Sequence, residues 1–151
     1  MKAITLWQPW ATWIAWGWKT IETRRHNRLA SLVGQRIAIH AGKRWHEEAF
    51  EIAQRWLSAD REIDTRLIRR FSHGDNPGLA PANMTGIVCT GLVLAAGIVG
   101  AGDSEAAMCD CSGNDLFGLV LDEIRAFDTP IPATGHQGIW EWNPPGSVPA
   151  I

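Results

Sequence analysis

Lys19, Glu22 and Arg24 put two cations and a carboxylate within six positions, inside the octapeptide Gly17-Trp18-Lys19-Thr20-Ile21-Glu22-Thr23-Arg24. Arg24 offers a planar fork to a phosphate or carboxylate. Glu22 can accept donors from an amino-bearing base, or serve as a general base if partly buried. Lys19 can steady negative charge beside it. The chemistry served is that of a small polar or phosphate-bearing ligand. The plainer alternative is a surface salt-bridge cluster of little energetic value. His40, ahead of Ala41-Gly42-Lys43, can position a substrate or move protons, or be a structural histidine. Cys109-Asp110-Cys111 is half a zinc site with no nearby His or Cys pair to complete it. No metal and no cofactor is implied. Nucleophile elbow, P-loop, dinucleotide fingerprint and zincin motif are all missing from the sequence.

These groups need a frame. If Thr20 to Arg24 is extended, the period of two puts Thr20, Glu22 and Arg24 on one face, with the charges toward an open surface and Ile21 in the core. Lys2 to Leu6 reads as the preceding strand. A helix from Pro9 to Trp16 follows it and stops at Gly17. Arg25 to Ser31 is a basic loop, and Arg36 to Ala41 is a core strand ending at His40. Arg44 to Leu57 has a helical stripe of Trp45, Ala49, Ile52, Ala53 and Trp56. Asp60 to Phe71 reads as another helix and Ser72 to Asn83 as a loop. Thr85 to Val99 is one long bent strand or two, with Gly91 or Gly97 at the bend. Gly100 to Asp115 reads as a polar loop. Leu116 to Phe127 is a strand broken by Pro130 and Pro132, and Gly138 to Trp142 is the last. The expected fold class is α+β, a small β-barrel of five or six strands with flanking helices. Residues 1–142 form one domain and 143–151 a tail.

Composition narrows the partners. The chain has 151 residues, 46% of them apolar and 20% charged, with a net charge of −2. Residues 1–44 carry eight cations against Glu22 alone, whereas the remainder carries six arginines against fifteen acids. A local basic zone of this kind attracts a phosphate backbone without making a general polyanion binder. Three cysteines, an odd and low count, with no signal peptide, point to a reducing cytoplasm. The apolar run Ile87 to Val99 is too short to span a bilayer. Nine tryptophans and no tyrosine are present. Trp13, Trp45 and Trp56 are expected in the core, whereas Trp7 or Trp10 can wall or stack on a nucleobase. A single exposed patch of Trp7, Trp10 and Trp16 would instead favour a protein partner.

Several stretches together resemble the ASCH (activating signal cointegrator homology) family of the PUA-like superfamily. They are Leu6-Trp7-Gln8-Pro9-Trp10-Ala11, the pattern Gly-x-Lys-x-x-Glu-x-Arg at Gly17, Lys19, Glu22 and Arg24, and Arg36-Ile-Ala-Ile-His-Ala41. Gly86-Ile87-Val88, Phe117-Gly-Leu-Val-Leu-Asp122 and Gly135-His-Gln-Gly-Ile-Trp140 follow in the same order. The resemblance implies a barrel with a cleft lined by the signature, and RNA or a modified nucleoside as ligand. The implied binding residues are Trp7, Trp10, Lys19, Glu22, Arg24, His40 and Gln137. It marks 45–71, as a helical insertion, and Gly100 to Asn114 as additions particular to this chain. Some family members are enzymes: one group removes the acetyl group of 4-acetylcytidine, and another member type degrades RNA. In the first group a threonine nucleophile stands where this chain has Glu22, with the lysine, here Lys19, beside it. A carboxylate cannot replace that hydroxyl without rebuilding the site. A hydrolase here would use Glu22 as base for water and Lys19 as oxyanion stabiliser.

Overall fold

A computed structural model describes residues 1–56 and 85–146. Six strands form one mixed sheet that curls into a half-barrel with a few short helices: β1 (Lys2–Gln8), β2 (Ile21–Arg24), β3 (Arg36–Trp45), β4 (Gly86–Ile98), β5 (Phe117–Ile131) and β6 (Ile139–Glu141). The order across the sheet is β2-β5-β4-β3-β1-β6. Only β1 and β3 are parallel, in register Ile4 to Ile39 and Leu6 to Ala41. A helix α1 (Trp10–Ala15) lies over the sheet and packs Ala11 and Ile14 onto Leu6, Ile39, Val93 and Leu119, all buried.

The start and stop of α1 govern where Lys19 goes. At its start, the Thr12 amide and hydroxyl both donate to Gln8 Oε1, at 3.3 and 2.9 Å. At its end Gly17 takes φ 73°, where a Cβ would be strained. The Gly17 amide then donates to the Ile14 carbonyl and the Trp18 amide to the Trp13 carbonyl, each at 2.9 Å. That pair of bonds is a Schellman closure. The Lys19 amide adds a third bond to Trp13, at 3.1 Å. The chain therefore reverses sharply and drops Lys19 behind the helix, immediately before β2.

Four expectations are corrected. First, β3 does not end at Ala41. It continues to Trp45, which pairs with Gln8 across a bulge, and the next helix, α2, begins only at Ala49 and runs to Trp56. Ala49 and Ala53 of α2 are buried against Trp13 and Met108. Second, β5 passes through Pro130 to Ile131. Beyond Leu121 its only sheet neighbour is β4, so a strand position without an N–H is tolerated there. Third, the basic stretch Arg25 to Ser31 is not loop throughout, since Arg28–Leu32 is a 3₁₀ turn that buries Leu29 and Leu32.

The fourth correction bears on the site. The segment after β4 is folded inward rather than forming a polar loop. It holds a 3₁₀ turn (Ala101–Asp103) and a short helix α3 (Ser104–Ala107), with Met108 left-handed at φ 51°. Ala107, Met108 and Cys111 are buried, two of them against Ile21 and Val99. The expected helix Asp60 to Phe71 and loop Ser72 to Asn83 lie outside the described residues.

Trp13 is 2% exposed, and Trp10, Trp16, Trp18, Trp45 and Trp56 pack half-buried around it. Trp7, by contrast, is exposed. So Trp7, Trp10 and Trp16 do not make one exposed apolar patch. Among the described residues no helix is long and apolar enough to cross a membrane.

Candidate functional site

Two of the three charged side chains of the octapeptide do not face open solvent. Lys19 and Glu22 are each 3% exposed. What covers them is the inward segment: the Thr20 amide donates to the Ala106 carbonyl at 2.9 Å, and the Thr23 hydroxyl lies 3.5 Å from Cys109 Sγ. β2 is fixed on its other edge by β5, where Glu22 pairs with Leu119 and Arg24 with Phe117.

Lys19 Nζ donates to the Ile21 carbonyl at 2.7 Å and to the Ala107 carbonyl at 2.5 Å. Its third neighbour is Glu22 Oε2 at 3.6 Å. An ammonium has three protons; the two carbonyls take two of them, and Glu22 stands at ion-pair distance. The other carboxylate oxygen, Glu22 Oε1, accepts from Arg24 Nη1. Arg24 is about one-third exposed and stands at the mouth. A buried carboxylate is thus held between two cations, as burial of a charge requires.

Among the described residues, three cavities meet around this network. One, of about 180 Å³, lies on the Lys19 side and is lined by Trp10, Lys19, Glu22, Thr23, Arg24 and His46 with the 107–109 segment. A second, of about 150 Å³, lies past Glu22 and Arg24 toward Asn27, Leu29, Phe117 and Leu119. A third and larger one, of about 690 Å³, runs from Arg24 past His26 and Arg28 to Trp7, His136 and Gln137. Arg24 borders all three, and Glu22 borders the two small ones.

The two aromatic candidates are placed differently. Trp10 is held edge-on by Trp13 at 5.0 Å and by His46 at 5.3 Å, with Lys19 Nζ 5.8 Å from its ring centre. It is a wall rather than a free stacking face. Trp7 has the Arg44 guanidinium 3.8 Å over its ring, so one face is taken. Gln137 lies exposed across the large cavity from Trp7.

His40 borders none of the three cavities. It sits buried on β3, where its Nε2–H donates to the Ala133 carbonyl at 3.1 Å and its ring meets Trp140 edge-on at 5.7 Å. Gly135 packs so closely that a Cβ there would overlap the imidazole. Nδ1 has no partner among the described residues, which fits the neutral tautomer. Burial holds the His40 pKa below its ordinary value. The Ala133 carbonyl opposes this and His136 adds to it. The unfolded chain therefore takes up its proton first. The stability due to neutral His40 is complete above the ordinary value of about 6.5 and is lost as the pH falls below it. Urea midpoints measured between about pH 7 and pH 5 should drop in the native chain, and His40→Gln should flatten that acid limb. An identical slope in both proteins would clear His40 of the effect.

Two contributors to the site were missed from sequence. His46 follows the last residue of β3 and turns toward Trp10, with its amide donating to the Gln8 carbonyl at 2.8 Å and its Nδ1 buried without a partner among the described residues. The available signal was that no Ser, Thr, Asp or Asn stands between Ala41 and Trp45 to start a helix. The other is the Ala107 carbonyl, a backbone group that no side-chain pattern announces.

The basic zone is also less naked than its sequence. Lys2 pairs with Glu141 at 2.6 Å, Arg25 with Asp115 at 3.9 Å and Arg36 with Glu123 at 2.5 Å. Among the described residues, Arg28, Lys43 and Arg44 make no ion pair, and Arg28 and the Trp7–Arg44 stack flank the large cavity.

No protein-family model and no curated protein matches the chain. Among solved structures it is similar to a point mutant of the ASCH protein from Zymomonas mobilis. The two are 14% identical over 94% of this chain and 87% of that one, with a TM-score of 0.52. Another structure of ASCH from Zymomonas mobilis aligns at 15% identity and TM-score 0.44, over 81% of this chain and 66% of that one, just under two thirds of its length. Likeness at this level of identity speaks to architecture, and with the six-stranded half-barrel and its order of strands it leads to one statement: the chain has the ASCH-domain fold.

Proposed function

We propose that this protein binds RNA or a modified nucleoside in the cleft organised on Arg24, with residues 1–142 acting as one domain and 143–151 as a tail. The carrying observation is that Arg24, the half-open partner of a buried carboxylate, borders all three cavities. The large cavity has the size of an ordinary ligand site, roughly 300–1,000 Å³. Its arginines suit phosphates, and the exposed Trp7 side chain suits a base. Each small cavity holds a base edge or an acyl-sized group rather than a whole nucleotide. There Glu22 retains acceptor lone pairs beyond the two its cations engage, and these suit an amino or imino donor.

A hydrolase using Glu22 as base and Lys19 as oxyanion stabiliser is the second reading. Its support is the acid–cation pair beside a small cavity. Against it, two of the three Lys19 donors are already taken by the Ile21 and Ala107 carbonyls, and Glu22 is its ion-pair partner. Lys19 serves better as the post that orients Glu22.

The test is tryptophan quenching by single-stranded RNA and by acylated and unmodified nucleosides across a salt series, with product analysis of each mixture. Salt-dependent saturable quenching without turnover supports binding. Turnover abolished by Glu22→Gln transfers the case to the hydrolase. Neither quenching nor turnover with any probe rejects both.

A further inference from the structure

We propose that Cys109 and Cys111 are a reactive dithiol on the rim of the Lys19–Glu22 cavity, oxidised by a peroxide to an intramolecular disulfide that loosens the wall over Lys19. The two sulfurs lie 3.7 Å apart. Cys109 is partly exposed and lines the cavity, whereas Cys111 is buried behind it. The arrangement gives the two thiols different tasks. Cys109 is the sulfur that a small oxidant entering the cavity meets first. Cys111 is the resolving sulfur already in reach. Burial pushes the Cys111 thiol up to about 11, which disfavours its direct attack on an oxidant.

The chemistry balances in two steps. The Cys109 sulfur, as thiolate, attacks one peroxide oxygen; the S–O bond forms, the O–O bond breaks and hydroxide leaves. Sulfur is oxidised by two electrons and the peroxide is reduced. The Cys111 sulfur then attacks Cys109; the S–S bond forms, the S–O bond breaks, and hydroxide departs with the Cys111 proton as water. One peroxide and two thiols yield one disulfide and two waters.

The consequence for the cavity follows from what the same segment holds. The Ala107 carbonyl accepts from Lys19, the Ala106 carbonyl from the Thr20 amide, and the Ser104 hydroxyl from the Cys111 amide at 3.0 Å. Non-bonded sulfurs at 3.7 Å must close to about 2.05 Å to form a disulfide. In the proposed step this closure draws residues 109–111 out of their present place, and the carbonyls shortly before them hold Lys19 and β2. The inference needs no ligand, so it stands or falls apart from the binding reading above.

The experiment treats the full chain with hydrogen peroxide, maps the products by mass spectrometry and follows amide hydrogen exchange. The native chain should lose one pair of hydrogens between Cys109 and Cys111, reversibly with dithiothreitol. Cys89, buried in β4, should stay reduced. Cys111→Ser should stop at a sulfenic acid on Cys109 that dimedone traps, and Cys109→Ser should react at least about tenfold more slowly. Exchange at the Thr20 amide should rise at least about tenfold on oxidation of the native chain, and not in Cys109→Ser. A native chain that keeps both thiols, forms only intermolecular disulfides, or oxidises with no change at Thr20 overturns the proposal.

Discussion

Lys19→Met should lower unfolding stability by about 3–5 kcal/mol, the cost of removing one partner from a buried ion pair. Three contacts are lost together. The Ile21 and Ala107 carbonyls lose their donor, and Glu22 Oε2 loses its cation. Methionine matches the length of the stem, so little of the loss comes from a void. Water cannot easily replace the ammonium, because the site is 3% exposed. Arg24 still holds Glu22 Oε1, which keeps the loss at the lower end of that range. The double variant Lys19→Met with Glu22→Gln should recover part of it, since the buried charge left with only Arg24 is gone while the two carbonyls stay unpaired. Urea denaturation at neutral pH measures both. A single-variant loss below about 1 kcal/mol would mean that Lys19 behaves as a surface residue.

Arg24→Ala should do the opposite, with modest harm to stability and large harm to binding. Its side chain is about one-third exposed, and Glu22 keeps Lys19. Its bonds to Glu22 and to the Thr23 carbonyl are lost, and at this exposure the stability cost should be about 1.5–2 kcal/mol, the low end for a charged hydrogen bond. RNA affinity should fall at least about tenfold at low salt. The slope of log affinity against log salt should flatten by about 0.7, the share of one phosphate on a single strand. Lys43→Ala is the control, because Lys43 is exposed and borders none of the three cavities. It should leave affinity within about twofold. Filter binding at about 50 to 200 mM salt gives both quantities. An Arg24→Ala protein with unchanged affinity would remove Arg24 from the interface and the proposed cleft with it.

The two variants separate roles that look alike in sequence. Both residues are cations beside the same glutamate. One is closed in by the 104–111 segment and acts as a post. The other stands at a mouth shared by three cavities. The difference arises in the Schellman turn at Gly17, which sends Lys19 behind α1 before the alternation of β2 begins.

The sequence by itself determined the class of fold and the membership of the charged cluster. Alternation in β1 and the first half of β3, the Pro9 to Gly17 helix signals and the spacing of Lys19, Glu22 and Arg24 are local properties. Each is set by backbone geometry within a few residues, so each could be read without the rest of the chain. The end of β3, the passage of β5 through Pro130, the inward fold of 101–116 and the arrival of His46 depend on partners far along the chain. β3 extends because Gln8 pairs with Trp45, Pro130 is tolerated because β2 is too short to reach it, and Lys19 is buried because Ala107 comes from eighty-eight residues away. Burial is a property of what covers a residue, and local pattern carries no information about the cover. The tertiary structure alone therefore decided that Glu22 is an enclosed carboxylate between two cations rather than one charge on an open face.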